Sequence, residues 1–133
     1  MTVIREKATL AGSIEAPPSK SLTQRAIACA VLAAGRSRLR ANSLCADASS
    51  ALKVARALGA VVEREGSWIS ITGSPLFREL AAQPLEDRGE APMDLDCGES
   101  GLCMRMFSPI AALLPRSTRL LASGSLSARP MAM

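Results

Sequence analysis

The feature that most restricts the fold of this chain is a pair of similar segments about 80 residues apart, a spacing that indicates an internal structural repeat. Residues 36–44 read RSRLRANSL and residues 116–126 read RSTRLLASGSL, and each segment follows an apolar stretch with helical spacing. One such repeat does not bury its own apolar face. The 133-residue chain is therefore expected to hold one complete repeat and part of a second one.

Turn and cap residues divide the first repeat into alternating strands and helices. Residues 2–16 alternate weakly between apolar and polar and predict one or two strands. Pro17-Pro18 imposes an extended backbone, and Ser19 is placed to cap a helix that continues to Gly35. The helix is supported by apolar residues at helical spacing, namely Leu22, Ala26, Cys29, Ala30 and Ala33.

The alternation continues beyond this helix. Residues 37–44 predict a strand, and Asp47 is placed to cap a second helix that is stopped by Gly59. The segments 61–65 and 68–72 flank a Gly-Ser pair and predict a hairpin.

The second repeat follows a connector. Residues 73–93 are rich in proline, glycine and charge and indicate a linking segment. Residues 93–97 predict a strand, and residues 99–114 predict a helix. The order of elements predicts a mixed α/β fold.

Missing residue types exclude several kinds of chemistry. The sequence contains neither histidine nor tyrosine, which excludes an imidazole base, a His-ligated metal or a phenolic acid within this chain. The aromatic residues are Trp68, Phe77 and Phe107, too few for the stacking platforms of single-stranded nucleic-acid binders. The net charge of +4 favours an anionic partner, and the basic residues are scattered along the chain. A small anion is therefore the expected ligand, and no nucleic acid is expected.

Cysteine usage and hydropathy favour a cytoplasmic location. The cysteines at positions 29, 45, 97 and 103 lack CxxC spacing, so we expect reduced and mostly buried thiols. The amino terminus lacks the pattern of a secretory signal, and no apolar run reaches the roughly 18 residues of a membrane span. We expect a cytoplasmic protein that does not enter the membrane.

The segment from Ser19 to Arg25 is the first candidate binding site. Lys20 and Gln24 are four residues apart, as are Ser21 and Arg25, so the first helical turn presents two cations, a hydroxyl and an amide on adjacent faces. Free backbone N–H groups and the helix dipole favour an anion at this end. The alternative is a capped helix start whose charged side chains are only solvated.

Two further candidates lie in the second repeat. Residues 97–105 form a predicted strand-to-helix turn in which Gly101 allows a close approach of backbone to a ligand, and Arg105 follows within one turn. Glu99 places a negative charge there, which suits an anion site only if it caps the helix or pairs with a nearby cation. Arg129 precedes a proline that stiffens the adjacent backbone. Each of these features also occurs in turns that bind nothing.

Four short motifs occur along nearly the whole chain. They are residues 18–21 (PSKS) with Arg25, residues 57–60 (ALGA), residues 96–105 (DCGESGLCMR) and residues 125–131 (SLSARPM). In this order they resemble the enolpyruvyl transferase family. The PSKS motif resembles the branch that acts on shikimate 3-phosphate and differs from the branch that acts on UDP-N-acetylglucosamine.

The resemblance implies an enolpyruvyl transferase-like inside-out α/β barrel domain built of βαβαββ units, here truncated, whose helix amino ends point at the binding cleft. On this plan residues 1–16 are crossover strands, residues 17–92 form the first complete unit with its connector, and residues 93–133 form an incomplete second unit. No metal or organic cofactor is implied.

The resemblance also implies a reaction. The enolpyruvyl group of phosphoenolpyruvate is transferred to the 5-hydroxyl of shikimate 3-phosphate through a tetrahedral adduct that loses phosphate, in the pathway to the aromatic amino acids. Arg105 is implied to have a supporting role. The residues implied to bind substrate, which we expect to converge on one electropositive pocket, are Lys20 (also catalytic), Ser21, Arg25, Gly101 and Arg129.

Two departures from the family pattern matter. Relatives commonly have Asn and Thr where this chain has Glu99 and Leu102, so we expect altered affinity for phosphoenolpyruvate and for glyphosate, the inhibitor that occupies its place. Further family motifs are absent from these 133 residues, so this chain alone is expected to lack turnover and to partner a missing C-terminal part. The alternatives are a small basic module that binds anions or RNA, and one half of a split enzyme.

Overall fold

The computed structural model describes residues 9, 11–82 and 91–130 of the chain. The helices are α1 (Lys20–Leu32), α2 (Ala46–Ala57), α3 (Pro75–Ala82) and α4 (Gly101–Ala111). The strands are β1 (Arg36–Arg40), β2 (Val61–Glu65), β3 (Trp68–Thr72), β4 (Met93–Asp96) and β5 (Thr118–Leu121), followed by a short 3-10 turn at Gly124–Leu126. These elements confirm the expected α/β class.

The amino-terminal stretch differs from its prediction. Within residues 2–16, residues 2–8 and 10 lie outside the described part of the chain, and residues 9 and 11–16 form no strand. Gly12 has a φ of 130°, which interrupts an extended backbone. A hydrogen bond from Asn42 Nδ2 to Glu15 Oε1 (2.6 Å) connects this stretch to the loop after β1. A side-chain contact therefore holds this segment where a backbone ladder was expected.

Helix α1 is confirmed, but the face it buries is not the predicted apolar stripe. The Ser19 hydroxyl accepts the Leu22 N–H, as a cap residue should. Of the stripe residues, Leu22 and Cys29 are exposed. The buried residues of α1 are Gln24, Ile27, Ala28, Ala30 and Val31. The branched side chains of Ile27 and Val31 are larger than the alanines of the stripe, so burying their face removes more apolar surface from water.

Helix α2 ends before Gly59, as predicted, but its predicted cap is wrong. The N-cap is Cys45, whose side chain makes no capping hydrogen bond, and Asp47 lies inside the first turn. A carboxylate in the first turn still interacts favourably with the helix dipole, which explains why the sequence favours a helix start here.

The expectation of mostly buried cysteines is met by Cys97 and Cys103 alone, because Cys45 is half-buried and Cys29 is exposed.

The first sheet is antiparallel with the strand order β1-β3-β2. Its hairpin has the predicted bounds, and Gly66 in the turn has a φ of 57°, which favours glycine. Strand β1 ends at Arg40, short of the predicted limit at residue 44. Arg40 pairs with Trp68, the first residue of β3, so the residues that follow Arg40 have no ladder partner on that strand.

The second sheet consists of β4 and β5, which are parallel and in register from Met93 opposite Thr118 to Asp96 opposite Leu121. Helix α4 makes the crossover between them, as parallel neighbours require. This helix begins at Gly101, two residues later than predicted, because Ser100 is its N-cap. Arg119 donates two hydrogen bonds to the Asp94 carboxylate across the pair (2.7 and 3.1 Å).

The core lies between the helices and the inner faces of the two sheets. Its largest fully buried side chains include Ile27 of α1, Ile69 and Ile71 of β3, Leu95 of β4 and Phe107 of α4. Helices α1, α2 and α4 share this core, which fixes their amino ends relative to one another.

None of the helices in the described part of the chain is long and apolar enough to cross a bilayer.

Gly73 provides a test of this packing. A Cβ at Gly73 would overlap the backbone carbonyl of Ala33, whereas a Cβ at Gly35 would meet nothing within 4 Å. We expect Gly73→Ala to lower the free energy of unfolding by about 1–3 kcal/mol, since a backbone neighbour must move. We expect Gly35→Ala to change it by less than about 1 kcal/mol. Urea denaturation of both variants measures the difference, and equal stabilities would contradict the packing described.

Candidate functional site

A cleft lies where α2 and α4 begin. This cavity has a volume of about 570 Å³. Its lining residues come from the starts of α2 and α4 and from the segment after β5: Ala46, Asp47, Glu99, Ser100, Gly101, Leu102, Arg105, Ser125, Leu126 and Arg129. A helix leaves its first backbone N–H groups without acceptors inside the helix, so two sets of donors begin at this cleft. We call it the α4 cleft.

A smaller cavity of about 150 Å³ lies beside the amino end of α1. Its lining residues are Pro17, Pro18, Lys20, Thr23, Ser43, Cys45 and Ala48. Ala46 and Asp47 line the α4 cleft, so the first turn of α2 separates the two cavities. We call the smaller one the α1 cavity.

The starts of α1 and α4 are joined by a buried hydrogen bond. The Ser100 hydroxyl donates to Gln24 Oε1 at 2.8 Å, and both residues are almost fully buried. The same hydroxyl accepts the Cys103 N–H at 3.2 Å and so caps α4. The Gln24 amide also donates to the Lys20 carbonyl at 3.4 Å. One side-chain pair therefore links the turn that carries Lys20 to the turn that carries Gly101.

The structure distributes the sequence-predicted residues over more than one place. Gly101 and Arg129 line the α4 cleft together with Arg105. Lys20 lines the neighbouring α1 cavity instead. Ser21 and Arg25 are not among the described residues that line either cavity. Since successive residues of a helix are rotated by about 100°, the burial of Gln24 turns Arg25 toward solvent.

The charged side chains of the α4 cleft balance one another. Asp47 and Glu99 are acidic, and Arg105 and Arg129 are basic. The expected electropositive pocket is therefore not produced by these side chains alone. An anion here would depend on the guanidinium groups together with the backbone N–H groups at the helix starts.

Glu99 is engaged by the protein itself. Its carboxylate accepts the Ser125 N–H at 2.9 Å. Hydrogen bonds from the Ser125 amide and hydroxyl lower the pKa of Glu99, and the charge of Arg129 adds to the shift. Arg129 in turn donates to the Ser125 hydroxyl at 3.2 Å. Glu99 is not the cap of α4, which is Ser100, and its bonded partner is Ser125, while the charge of Arg129 makes the smallest of the contributions to its lowered pKa.

Two features of this site were not predicted, although Ser125 and Leu126 belong to one of the sequence motifs. Ser125 and Leu126 line the cleft because the parallel β5 brings the segment after it beside the start of α4. The bond between Gln24 and Ser100 spans 76 residues, and no local pattern indicates it. No cluster of three or more His, Cys, Asp or Glu side chains that could hold a metal ion occurs in the described ranges.

Comparison with known proteins identifies a family over almost the whole chain. The model of the family described as EPSP synthase (3-phosphoshikimate 1-carboxyvinyltransferase) matches residues 4–133. A 3-phosphoshikimate 1-carboxyvinyltransferase of Solibacter usitatus is 37% identical over 129 residues, which cover 96% of this chain and 28% of that protein. One from Clostridium botulinum (strain Alaska E43) is 30% identical over 122 residues, 92% of this chain and 27% of the relative.

A solved structure shows the same architecture. The EPSP synthase from Acinetobacter baumannii superposes with a TM-score of 0.63 at 25% sequence identity, and the match covers 90% of this chain and 26% of that one. The match confirms the inside-out α/β fold inferred from the sequence motifs. The chain thus spans 26–28% of the length of these relatives.

The Gln24–Ser100 pair yields a prediction about stability. Ser100→Ala removes the cap of α4 and leaves the buried Gln24 without this partner, so we expect a loss of about 2–4 kcal/mol in the free energy of unfolding. Ser19→Ala removes only the exposed cap of α1 and should cost about 0.5–1 kcal/mol. A double-mutant cycle with Gln24→Ala should give a coupling of at least about 1 kcal/mol. Additive effects in chemical denaturation would contradict the link.

Proposed function

Because the chain belongs to the EPSP synthase family, we propose that it provides the amino-terminal part of the substrate site of a 3-phosphoshikimate 1-carboxyvinyltransferase. In the proposed reaction the enolpyruvyl group of phosphoenolpyruvate joins the 5-hydroxyl of shikimate 3-phosphate, and phosphate is released. We place this reaction in the cytoplasm, with a C-terminal part of the enzyme as the partner of this chain. The chain spans about a quarter of the length of its relatives, so the remaining part of the site is proposed to come from the C-terminal part.

The observation that carries the proposal is the grouping of Gly101, Arg105 and Arg129 in the α4 cleft. A phosphate group carries several acceptor oxygens, which suit a guanidinium that donates two hydrogen bonds and a helix start that donates from its backbone. A Cβ at Gly101 would lie 3.5 Å from Leu126, an ordinary contact, so the fold itself does not require glycine here. The absent side chain instead keeps the backbone of α4 accessible from the cleft.

We propose that phosphoenolpyruvate occupies this cleft. Arg129 binds its phosphate, Gly101 admits it to the helix backbone, and Arg105 supports the local positive potential. Lys20, which lines the neighbouring α1 cavity, is proposed to offset the charge of the same ligand, as the family resemblance implies. This assignment makes Lys20 the catalytic residue of this chain.

Shikimate 3-phosphate is proposed to bind at the face of α1 that carries Ser21 and Arg25. Ser21 and Arg25 are four residues apart, so they lie on one face of the helix beside the face that carries Lys20. Two multiply charged anions repel each other, so cations and helix starts must offset this repulsion before the substrates react. The proximity of the starts of α1, α2 and α4 supports this division of roles.

The role of Arg129 is tested by anion binding. We expect Arg129→Gln to weaken binding of phosphoenolpyruvate to the full chain by roughly 10- to 100-fold, because a charge-assisted pair of hydrogen bonds is lost. Arg78→Gln is the matched control, since Arg78 is an exposed residue of α3 and lines neither cavity. Isothermal titration calorimetry measures both variants. Equal losses would show that only net charge matters.

Gly101 is tested by adding one methyl group. Gly101→Ala should retain the folding stability to within about 1 kcal/mol, since its Cβ meets Leu126 at an ordinary distance. We expect the affinity for phosphoenolpyruvate to fall by about tenfold, since the methyl group separates the ligand from the helix backbone. Calorimetry with phosphoenolpyruvate and thermal unfolding measure the two effects. Unchanged affinity in a stably folded variant would remove Gly101 from the site.

Leu102 is tested by the kinetics of phosphoenolpyruvate and of glyphosate. In the enzyme of family length, Leu102→Thr should change the KM for phosphoenolpyruvate and the inhibition constant of glyphosate, which we propose shares the cleft. Unchanged constants for both ligands would contradict this role.

The 133-residue chain alone should release no phosphate from the two substrates, and co-expression with a C-terminal part should restore release. Activity of the purified chain by itself would refute the division of the site.

A further inference from the structure

Glu99 occupies an unusual place for an acidic residue in an anion-binding cleft. It lines the α4 cleft, where a free carboxylate would repel a phosphate. Its carboxylate, however, accepts the N–H of Ser125, a residue 26 positions away in the segment after β5. Hydrogen bonds from Ser125 are the chief cause of the lowered pKa of Glu99, so this acceptor stays ionised further into the acidic range than an ordinary glutamate. The carboxylate is thus bound to the wall of the cleft.

The backbone at Gly124 is fitted closely around this carboxylate. A Cβ at Gly124 would overlap the carboxylate carbon and both oxygens of Glu99. Gly124 has a φ of 52°, the left-handed conformation that favours glycine. The 3-10 turn at Gly124–Leu126 therefore begins in direct contact with the Glu99 carboxylate.

A chain of hydrogen bonds continues from Glu99 to Arg129. Arg129 Nη2 donates to the Ser125 hydroxyl at 3.2 Å, and Ser125 donates to Glu99 through its backbone N–H. The Arg129 N–H bonds to the Leu126 carbonyl at 3.0 Å, which places Arg129 directly after the same turn. Both the backbone and the guanidinium of Arg129 are therefore hydrogen-bonded to this turn.

We propose that Glu99 is a positioning residue that fixes the Gly124–Leu126 turn and, through Ser125, orients the Arg129 guanidinium at the α4 cleft. The inference rests on the proposed function for the identity of the anion, but the contacts themselves are independent of any ligand. It reverses the simple electrostatic expectation for this residue. A carboxylate that only repelled the anion would improve binding when removed, whereas a positioning carboxylate would weaken it.

The first experiment uses the wild-type chain without ligand. The amide proton of Ser125 should shift in NMR spectra as Glu99 is protonated, with a midpoint below the ordinary glutamate pKa. The other charged groups that line the cleft are Asp47 of α2, Arg105 of α4 and Arg129 itself. Glu99→Gln should abolish this step in the Ser125 titration. A Ser125 amide that does not titrate with Glu99 would overturn the proposal.

The sign of the pH effect follows from the direction of the shift. Because the pKa of Glu99 is lower in the folded protein, the charged carboxylate stabilises the turn fully above the ordinary glutamate pKa. That stabilisation is lost as the pH falls from the ordinary value through the lower folded value. We therefore expect the Arg129 side chain to become mobile over this acidic range. Arg64, whose Nε donates to the backbone carbonyl of Gly66 at 3.3 Å, is the internal control because its partner does not titrate.

The second experiment compares two substitutions at neutral pH. Glu99→Gln retains an oxygen that accepts the Ser125 N–H, so the Ser125 order parameter should stay near about 0.85. Glu99→Ala removes the acceptor, and the order parameter of Ser125 should fall toward about 0.6 or below, with matching mobility at Arg129 Nε. Unchanged Arg119 signals would show that the rest of the chain is folded. An equally ordered Ser125 in Glu99→Ala would overturn the proposal.

The third experiment adds inorganic phosphate and phosphoenolpyruvate as probes. Glu99→Ala should weaken binding of both anions by roughly three- to tenfold although it removes a negative charge, and Glu99→Gln should not weaken it. Tighter binding to both variants would show that Glu99 only repels anions and would overturn the proposal. If wild type binds neither anion, the proposed function fails, and the NMR comparison alone still decides the role of Glu99.

Discussion

The hydrogen bond between Ser100 and Gln24 is the constraint on which the arrangement of the site depends. Both side chains are almost fully buried, so removing one of them would leave the polar group of the other without a hydrogen-bond partner and out of reach of water. The Ser100 hydroxyl also caps α4, which ties the start of that helix to the start of α1. The cavity that contains Lys20 and the cleft that contains Gly101 are held side by side as a result. A polar contact inside the apolar core therefore sets the position of the α1 cavity relative to the α4 cleft.

Charge in the α4 cleft is organised by contacts and not by a surplus of cations. Two acidic and two basic side chains line it, and Glu99 is bound to Ser125. This leaves the two guanidinium groups and the helix starts as the donors for an anion. A family fold in which helix starts meet at a cleft suits substrates that carry several negative charges each. The proposed function and the role proposed for Glu99 are both based on this arrangement.

Most elements of the fold could be predicted because their signals are local. The hairpin of β2 and β3, the helix after Ser19 and the stop before Gly59 all depend on residues within one turn or one strand. Some errors were local, such as the cap of α2, and others arose where a distant partner decides the outcome. Strand β1 ends where β3 provides no further partner, and the buried face of α1 is chosen by the sheet and helices packed against it.

The sequence by itself determined the α/β class, the family motifs and the presence of Lys20, Gly101 and Arg129 at helix starts and near a turn, because caps, glycines and periodicity act over a few residues. Only the tertiary structure decided that Gly101 and Arg129 share a cleft, that Lys20 lies in the next cavity and that Arg25 faces away. Those relations depend on contacts across 26 to 76 residues, and hydrogen bonds of that kind leave no periodic trace in the chain.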